Sequence, residues 1–253
     1  MTEEEQRRVL LDILSYVDKV CSENNLKYWI SYGTLLGAIR HNGFIPWDDD
    51  IDVNMPRADY NRFIEITKDE KKYKTLTVMK TKGYNYPFAK VIDSSTYVVE
   101  YENKIIDEMG VYIDIFPIDN FGNDIEEAKK ECRKINKLTW RVWGFYGISW
   151  KKNGIKGLVL KSLGIKRLYK NLLKEIHKNS DSIYVGIDFY RDEHMLIYKN
   201  EWFEKTTKHI FEGRMFNIPE RYDEFLTCLY GDYMKLPPKE QRVTLHNMEC
   251  YFR

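Results

Sequence analysis

Residues 33–52 read GTLLGAIRHNGFIPWDDDID. Four acids, Asp48, Asp49, Asp50 and Asp52, crowd into the last five positions, behind glycines, the basic pair Arg40-His41 and an aromatic. So much like charge is unfavourable unless a cation sits among the carboxylates, and a hard divalent ion takes several carboxylate oxygens at once. The end of the stretch alternates acid with apolar residue: Asp50-Ile51-Asp52-Val53. Successive side chains of a strand point to opposite faces. A strand here turns Asp50 and Asp52 to one side, as half of a metal site, and sends Ile51 and Val53 into a core. A solvated acidic loop, with Asp48 and Asp49 as turn residues, is the plainer alternative. A helix–loop–helix calcium site does not fit, because Val53 stands where its loop needs glycine and Asp59 where it needs glutamate.

Working upstream, residues 3–24 predict an amphipathic helix. Val9, Leu10, Ile13, Leu14, Val17, Val20 and Cys21 fall at the three-four spacing of one buried face. Asn24-Asn25 stops it, and 26–31 predicts a short strand. Gly33 follows, with Thr34 expected to cap a brief helix through residue 39. Backbone amides at a glycine-led helix start are a ready site for phosphate. Gly43 and Pro46 then turn the chain into the acidic strand.

Downstream, 57–68 predicts a helix with Tyr60, Phe63, Ile64 and Thr67 on one side. Residues 75–79, 88–92 and 96–101 predict strands, antiparallel by their short connections. Residues 111–116, VYIDIF, predict another strand in which Tyr112, Asp114 and Phe116 share a face. An acid in so apolar a strand costs on the order of several kcal/mol unless paired or metal-bound. Asp114 is therefore the natural third carboxylate; an edge-strand acid facing water is the other reading. Residues 124–138 predict a helix. Residues 139–178 are basic and aromatic: Trp140, Trp143 and Trp150 stand among Arg141, Lys151 and Lys152, and Glu175 is the sole acid. Two readings stay open for this segment, a surface lying in a membrane interface and a lid packed on the core. Residues 183–187 predict a strand, HIFEGRMFNIP a hairpin turning at Glu212-Gly213, and 220–230 a helix stopped by Gly231. In the polar tail, Arg242 and His246 lie four apart.

Composition narrows the function classes. Lys plus Arg (40) nearly equals Asp plus Glu (39), so charge argues for no nucleic-acid partner. The four cysteines, Cys21, Cys132, Cys228 and Cys250, are far apart with no CxxC pair, which favours reduced thiols over a zinc site or disulfide framework. The charged start MTEEEQRR lacks a signal peptide's apolar core, and no apolar run has the length to span a bilayer. A cytoplasmic location follows as an expectation, peripheral on the inner face of the membrane if the basic segment docks there.

Three acids from two strands beside a glycine turn suit metal-assisted chemistry on a phosphate ester. Mg²⁺ (or Mn²⁺) held by shared carboxylates neutralises donor oxygens and activates an acceptor hydroxyl. Asp50, Asp52 and Asp114 are the expected catalytic and metal residues. Arg40, Lys90, Arg242 and the amides at Gly33-Thr34 are candidate phosphate clamps, with His41 and His246 beside them as further substrate contacts.

The stretch GTLLGAIRHNGFIPWDDDIDV, followed by RADY, VYIDIFPID and LYGDYMKLPPKEQRVTLH, resembles the LicD family. That family is similar to the fukutin-related proteins and is placed with the nucleotidyltransferase-fold enzymes. The match begins at CSENNLKYWISYGTLLGA and is weakest over 139–210. By this resemblance Asp50 and Asp52 match the paired metal carboxylates, Asp114 the third, and Gly33-Thr34 the glycine turn. Tyr32 departs from the pattern, standing where a glycine or serine is expected. The resemblance implies an α+β fold, a nucleotidyltransferase-like mixed β-sheet flanked by helices. It implies one domain over 1–253, with a core of about 1–138 and 180–253 and a helical basic and aromatic insertion over about 139–179. It further implies a phosphotransferase that moves a substituted phosphate, phosphocholine first, from a CDP-linked donor such as CDP-choline. The acceptor would be a sugar hydroxyl of a surface polysaccharide, teichoic acid or lipopolysaccharide (a glycan or glycolipid), with CMP released. A choline headgroup would favour an aromatic cage, for which Tyr28, Trp29, Trp47 and Tyr112 are near the motif. Nucleotidyl transfer from an NTP and a non-catalytic glycan-binding relative are the competing readings.

Overall fold

The computed structural model describes every residue except 101–105, 107, 148–149, 177–180, 188–195 and 245–247, with backbone alone at 100 and 150–152. Among the described residues it is mixed α/β, with seven α-helices. The chain divides into two compact units, one of residues 1–75, 90–117 and 202–253, the other of 76–89 and 118–201.

The first unit opens with α1 (Glu3–Glu23). Thr2 and Glu5 form a reciprocal capping box at its start, and the seven apolar residues spaced for one face are all buried. β1 follows as a two-residue strand (Trp29–Ile30), shorter than the predicted 26–31. α2 spans Tyr32–His41, with Ser31 rather than Thr34 at its N-cap position and no side-chain capping bond there. The Thr34 side chain is engaged elsewhere, its Oγ1 accepting from the Asp52 amide at 2.9 Å. β2 (Asp52–Pro56) starts at Asp52 rather than before Asp50, yet Ile51 and Val53 are fully buried as their alternation required. α3 (Arg57–Ile66) buries Tyr60 and Phe63. β3 (Tyr73–Leu76), β4 (Ala89–Asp93), β5 (Thr96–Glu100) and β6 (Tyr112–Gly122) follow.

The central path of the main sheet runs β1-β2-β6-β4-β3, with β1 antiparallel to β2. β5 does not join the strands before it. The second unit contributes α4 (Ile125–Trp143), α5 (Trp150–Leu163), α6 (Ile165–Ile176), β7 (Tyr184–Gly186) and β8 (Ile197–Lys199). β9 (Thr206–Phe211), β10 (Arg214–Pro219), α7 (Tyr222–Tyr230) and β11 (Met248–Phe252) return to the first unit. β5 pairs antiparallel with β11, setting Val98 opposite Cys250. The expectation of three mutually paired strands over 75–101 is thus corrected, since the ladder partner lies about 150 residues away where no local spacing signals it; residue 101 lies outside the described residues. β9 and β10 form the predicted hairpin, Phe211 facing Arg214 across Glu212 and Gly213. Both turn residues have positive φ (49° and 74°), as a two-residue turn matched to strand twist requires.

In the second unit, β7 pairs antiparallel with the end of β6 and with β8. α4 is capped by Asp124, whose carboxylate accepts from the Glu126 and Glu127 amides. α6 turns Leu168, Tyr169, Leu172 and Ile176 inward and packs on α4. Tyr84, Tyr86, Phe88 and Trp143 form a continuous aromatic cluster.

Candidate functional site

The acidic loop between α2 and β2 is held at its backbone. Asp48 N donates to Ile45 O at 2.9 Å, closing a turn. From α1, Arg7 Nη2 donates to Pro46 O at 3.2 Å and Asp48 O at 3.5 Å, and Gln6 Nε2 to Asp49 O at 3.4 Å. Glu212, at the tip of the β9–β10 hairpin, accepts from Phe44 N at 2.9 Å. These groups hold the loop's backbone in place around its carboxylates. Asp48, Asp49 and Asp50 each offer an oxygen within 4.8 Å of the others.

Asp52 extends the cluster at the start of β2. Its carboxyl is held well above the usual carboxylate range, first by burial and then by like charge on Asp50, Asp114 and Asp48, against the pull of Lys90. Asp114 thus belongs to the same electrostatic group as the acidic loop. β6 delivers it: Asp114 N donates to Ile51 O at 2.9 Å, which fixes the register of the two acid-bearing segments. The donors are all carboxylate oxygens, several are partly buried, and their charges repel. That donor set fits a hard divalent cation such as Mg²⁺ or Mn²⁺.

Lys90 has a specific place. Its side chain is 3 % exposed, its Nζ lies 2.6 Å from Asp114 Oδ1, and it sits 3.6 Å above the Tyr112 ring centroid. Sequence reasoning sets it among the phosphate clamps; the structure gives its ammonium a carboxylate partner deep in the sheet.

The start of α2 meets the cluster at Gly33. A Cβ added there would fall 2.5 Å from Asp48 Oδ2. The absent side chain lets a carboxylate lie against the first turn of the helix, where the partial positive charge of the amides favours it. Tyr32, the departure from the family pattern, takes the conformation that glycine favours, with φ of 47°. Its ring is wedged edge-on to Phe116 and tilted against Phe225, and its hydroxyl accepts from Asn54 Nδ2 at 3.3 Å. Packing of the ring offsets the backbone strain.

A cavity of about 630 Å³ opens beside the carboxylates. Gly33, Asp48, Asp50 and Asp52 form its acidic wall; Tyr32, Leu36, Ile45, Trp47 and Tyr230 are the apolar one. The tail closes it through Tyr233, Lys235 and Pro237. Arg40 lines the cavity and donates from Nη1 to Tyr233 O at 2.7 Å, tying the tail to α2. Its Nε donates to His41 Nε2 at 3.0 Å. Burial and the Arg40 charge push the His41 pKa down, so its imidazole is biased toward the neutral form. Arg242 lies 5.5 Å over the Trp47 ring. His41 and Arg242 thus gather about Trp47 with Arg40 bonded to His41, whereas His246 lies outside the described residues.

Of the four aromatics expected for a headgroup cage, Tyr28, Trp29, Trp47 and Tyr112, Trp47 lines the cavity. Tyr28 and Trp29 are fully buried in the core, and Tyr112 lies beneath Lys90. Their proximity was only sequential: the segment around β1 is buried on both faces, with Tyr28, Trp29 and Ile30 all enclosed. Sequence reasoning missed Tyr230 and Tyr233, which the fold of the tail brings to the cavity. The Tyr230 pKa is pushed up, first by desolvation and then by Asp52, Tyr32, Asp48 and Asp50. It also missed Arg7, Gln6 and Glu212, whose polarity on amphipathic elements looked like surface. No short-range signal separates them from solvated residues.

Residues 25–133 match the LicD/FKTN/FKRP nucleotidyltransferase domain, a span that includes the glycine turn, the acidic loop and Asp114. The lipopolysaccharide cholinephosphotransferase LicD of Haemophilus influenzae is 34% identical over 264 residues, covering 99% of this chain and 98% of that protein. The mouse ribitol 5-phosphate transferase FKRP is 26% identical over 110 residues, 44% of this chain and 20% of that one. An uncharacterized protein of Rickettsia typhi is 44% identical over 57 residues, 22% of this chain and 18% of its own. Likeness over nearly the whole of both chains, together with a domain match whose span takes in the acidic cluster, establishes that this protein belongs to the LicD family.

Proposed function

We propose that this protein transfers a substituted phosphate, with phosphocholine the leading headgroup, from a CDP-linked donor to a sugar hydroxyl of a cell-surface glycan or glycolipid, in a reaction that depends on Mg²⁺ or Mn²⁺ and releases CMP. The observation that carries this reading is the convergence of Asp48, Asp50 and Asp52 on the wall of one cavity, with Asp114 in electrostatic reach of Asp52. The relatives' names point the same way: one is a lipopolysaccharide cholinephosphotransferase and another a ribitol 5-phosphate transferase. The two share transfer of a substituted phosphate and differ in headgroup. Phosphocholine leads because that similarity spans the whole chain.

Asp50, Asp52 and Asp114 would hold the divalent ion, with Asp48 and Asp49 offering oxygens beside Asp50. Such an ion would neutralise phosphate oxygens as charge builds on the leaving group. The chain's own residues do the rest. The acceptor hydroxyl attacks the phosphorus that bears the headgroup, the new bond forms as the bond to CMP breaks, and the hydroxyl proton passes to a carboxylate of the cluster. CMP departs with the electron pair. Arg40, on the cavity wall, and Arg242, over the Trp47 ring, supply positive charge to the donor phosphates. Lys90 holds Asp114 in one orientation through its short ion pair. The apolar wall at Trp47 and Tyr230 excludes water from the reacting phosphorus and offers π faces to a cationic headgroup.

The test is to incubate pure protein with CDP-choline, CDP-glycerol and CDP-ribitol and a glycan acceptor, with and without Mg²⁺. CMP release that needs the metal, with the headgroup appearing on the acceptor, is the expected result. Pyrophosphate release from an NTP, with no CMP from any CDP donor, would overturn it.

A further inference from the structure

We propose that the helical pair α5–α6 of the second unit is a docking surface for an anionic lipid bilayer. The proposal is independent of the transfer chemistry above. Its first support is a break in α5. Gly154 is non-helical (φ 57°, ψ −147°), so the residues after it form a run of their own. On that run Ile155, Leu158 and Val159 are 72%, 54% and 53% exposed. They stand at i, i+3 and i+4, so they share one helical face. Scattered apolar residues on a surface need no explanation, whereas a contiguous exposed stripe marks a contact site. The far end of the run is anchored: Lys161 reaches 4.7 Å over the Phe145 ring. The stripe is therefore presented by a helix fixed at its C-terminal turn.

The second support is charge. α6 buries its apolar face and leaves Lys166, Arg167, Lys170 and Lys174 on a groove of about 510 Å³ that begins at Leu163. Glu175, the one acid between residues 139 and 176, is bound by Lys134 Nζ at 2.5 Å and does not offset them. An exposed apolar stripe on one helix followed by a basic groove along the next offers contacts for both acyl chains and anionic headgroups. None of the described helices is long and apolar enough to cross a membrane, so the contact is one that lies in the interface. A second copy of this chain is a poorer occupant. A symmetric pairing through this face would bring the two sets of lysines together.

The test is co-sedimentation of the full chain with vesicles of phosphatidylcholine alone and of phosphatidylcholine mixed with phosphatidylglycerol, at low and high salt. Binding to the anionic vesicles that weakens with salt is expected. Ile155→Glu with Leu158→Glu should weaken it about tenfold by removing the inserted stripe. Lys166→Ala with Arg167→Ala and Lys170→Ala should weaken it by more than about tenfold and erase the preference for anionic lipid. All five positions are exposed or on the groove, so the circular dichroism spectrum and melting temperature stay as in the wild type. The proposal is overturned if the wild type binds neither vesicle or if binding survives both variants. A wild-type dimer that the double glutamate variant converts to monomer would assign the face to self-association and overturn it as well.

Discussion

The acidic loop of the first unit and the basic helices of the second both concentrate charge of one sign, and they handle it in opposite ways. In the loop, Asp48, Asp49 and Asp50 each offer an oxygen within 4.8 Å of the others, and Arg7, Gln6 and Glu212 fasten the backbone that carries them. In α6 the cations are spaced along an exposed face, each open to hydration, and no such fastening is needed. Like charges held together store an electrostatic demand that a counterion must meet; like charges spread over a surface make a field. The first arrangement suits one small ion in one place, the second a broad anionic partner.

The comparison can be broken at several points. The largest effect is expected at the centre of the cluster: Asp50→Ala or Asp52→Ala should lower CMP formation on the order of 10²-fold or more, with the fold intact by circular dichroism. Near-native turnover by either variant with Mg²⁺ present would make the cluster decorative. Lys90→Met should follow, because it strands Asp114 in a buried setting, at a cost of about 3–5 kcal/mol in chemical denaturation. Adding Asp114→Asn to it should recover much of that loss, and an unchanged midpoint for the single variant would show that the pair carries no stability.

A smaller effect sharpens the electrostatic half. The Asp52 pKa is raised in the folded state, so the fold binds a proton there more tightly than the unfolded chain does. Its contribution to stability is therefore greatest below the ordinary carboxylate range and declines as pH rises toward the raised value. Without divalent ion at neutral pH, Asp52→Asn should melt above the wild type. Added Mg²⁺ should raise the wild-type melting temperature and move the variant little. Equal responses of the two would remove Asp52 from the ion's surroundings. Least of all, Arg7→Ala should cost about 1 kcal/mol or less and weaken Mg²⁺ binding a few-fold by calorimetry, through the loosened loop. Unaltered affinity would mean that the carboxylates hold their places without α1.

The sequence made the acidic loop legible because its information is local. The alternation at Ile51 and Val53, the stripe of α1 and the turn at Glu212-Gly213 each fit within a few residues, and each stands in the structure as spaced. The β5–β11 ladder joins segments about 150 residues apart, and the 248–252 strand carries no pattern that sets it apart from the polar tail. The partner of Lys90 is equally hidden. A lysine in the apolar strand AKVID reads as a phosphate clamp until β6 brings Asp114 beside it. The cavity's aromatic wall escapes a sequence reading for the same reason, since nearness along the chain is not nearness in space.

Gly33 also bears on how this protein could be hardened. A glycine inside a helix costs about 1 kcal/mol relative to alanine, so position 33 is an obvious target for raising thermal tolerance. Alanine there would aim its methyl group at the Asp48 carboxylate, 2.5 Å away, and the acid would have to give way. Heat resistance and turnover pull against each other at a single missing carbon atom, and a screen for tougher variants is best made with this position left alone.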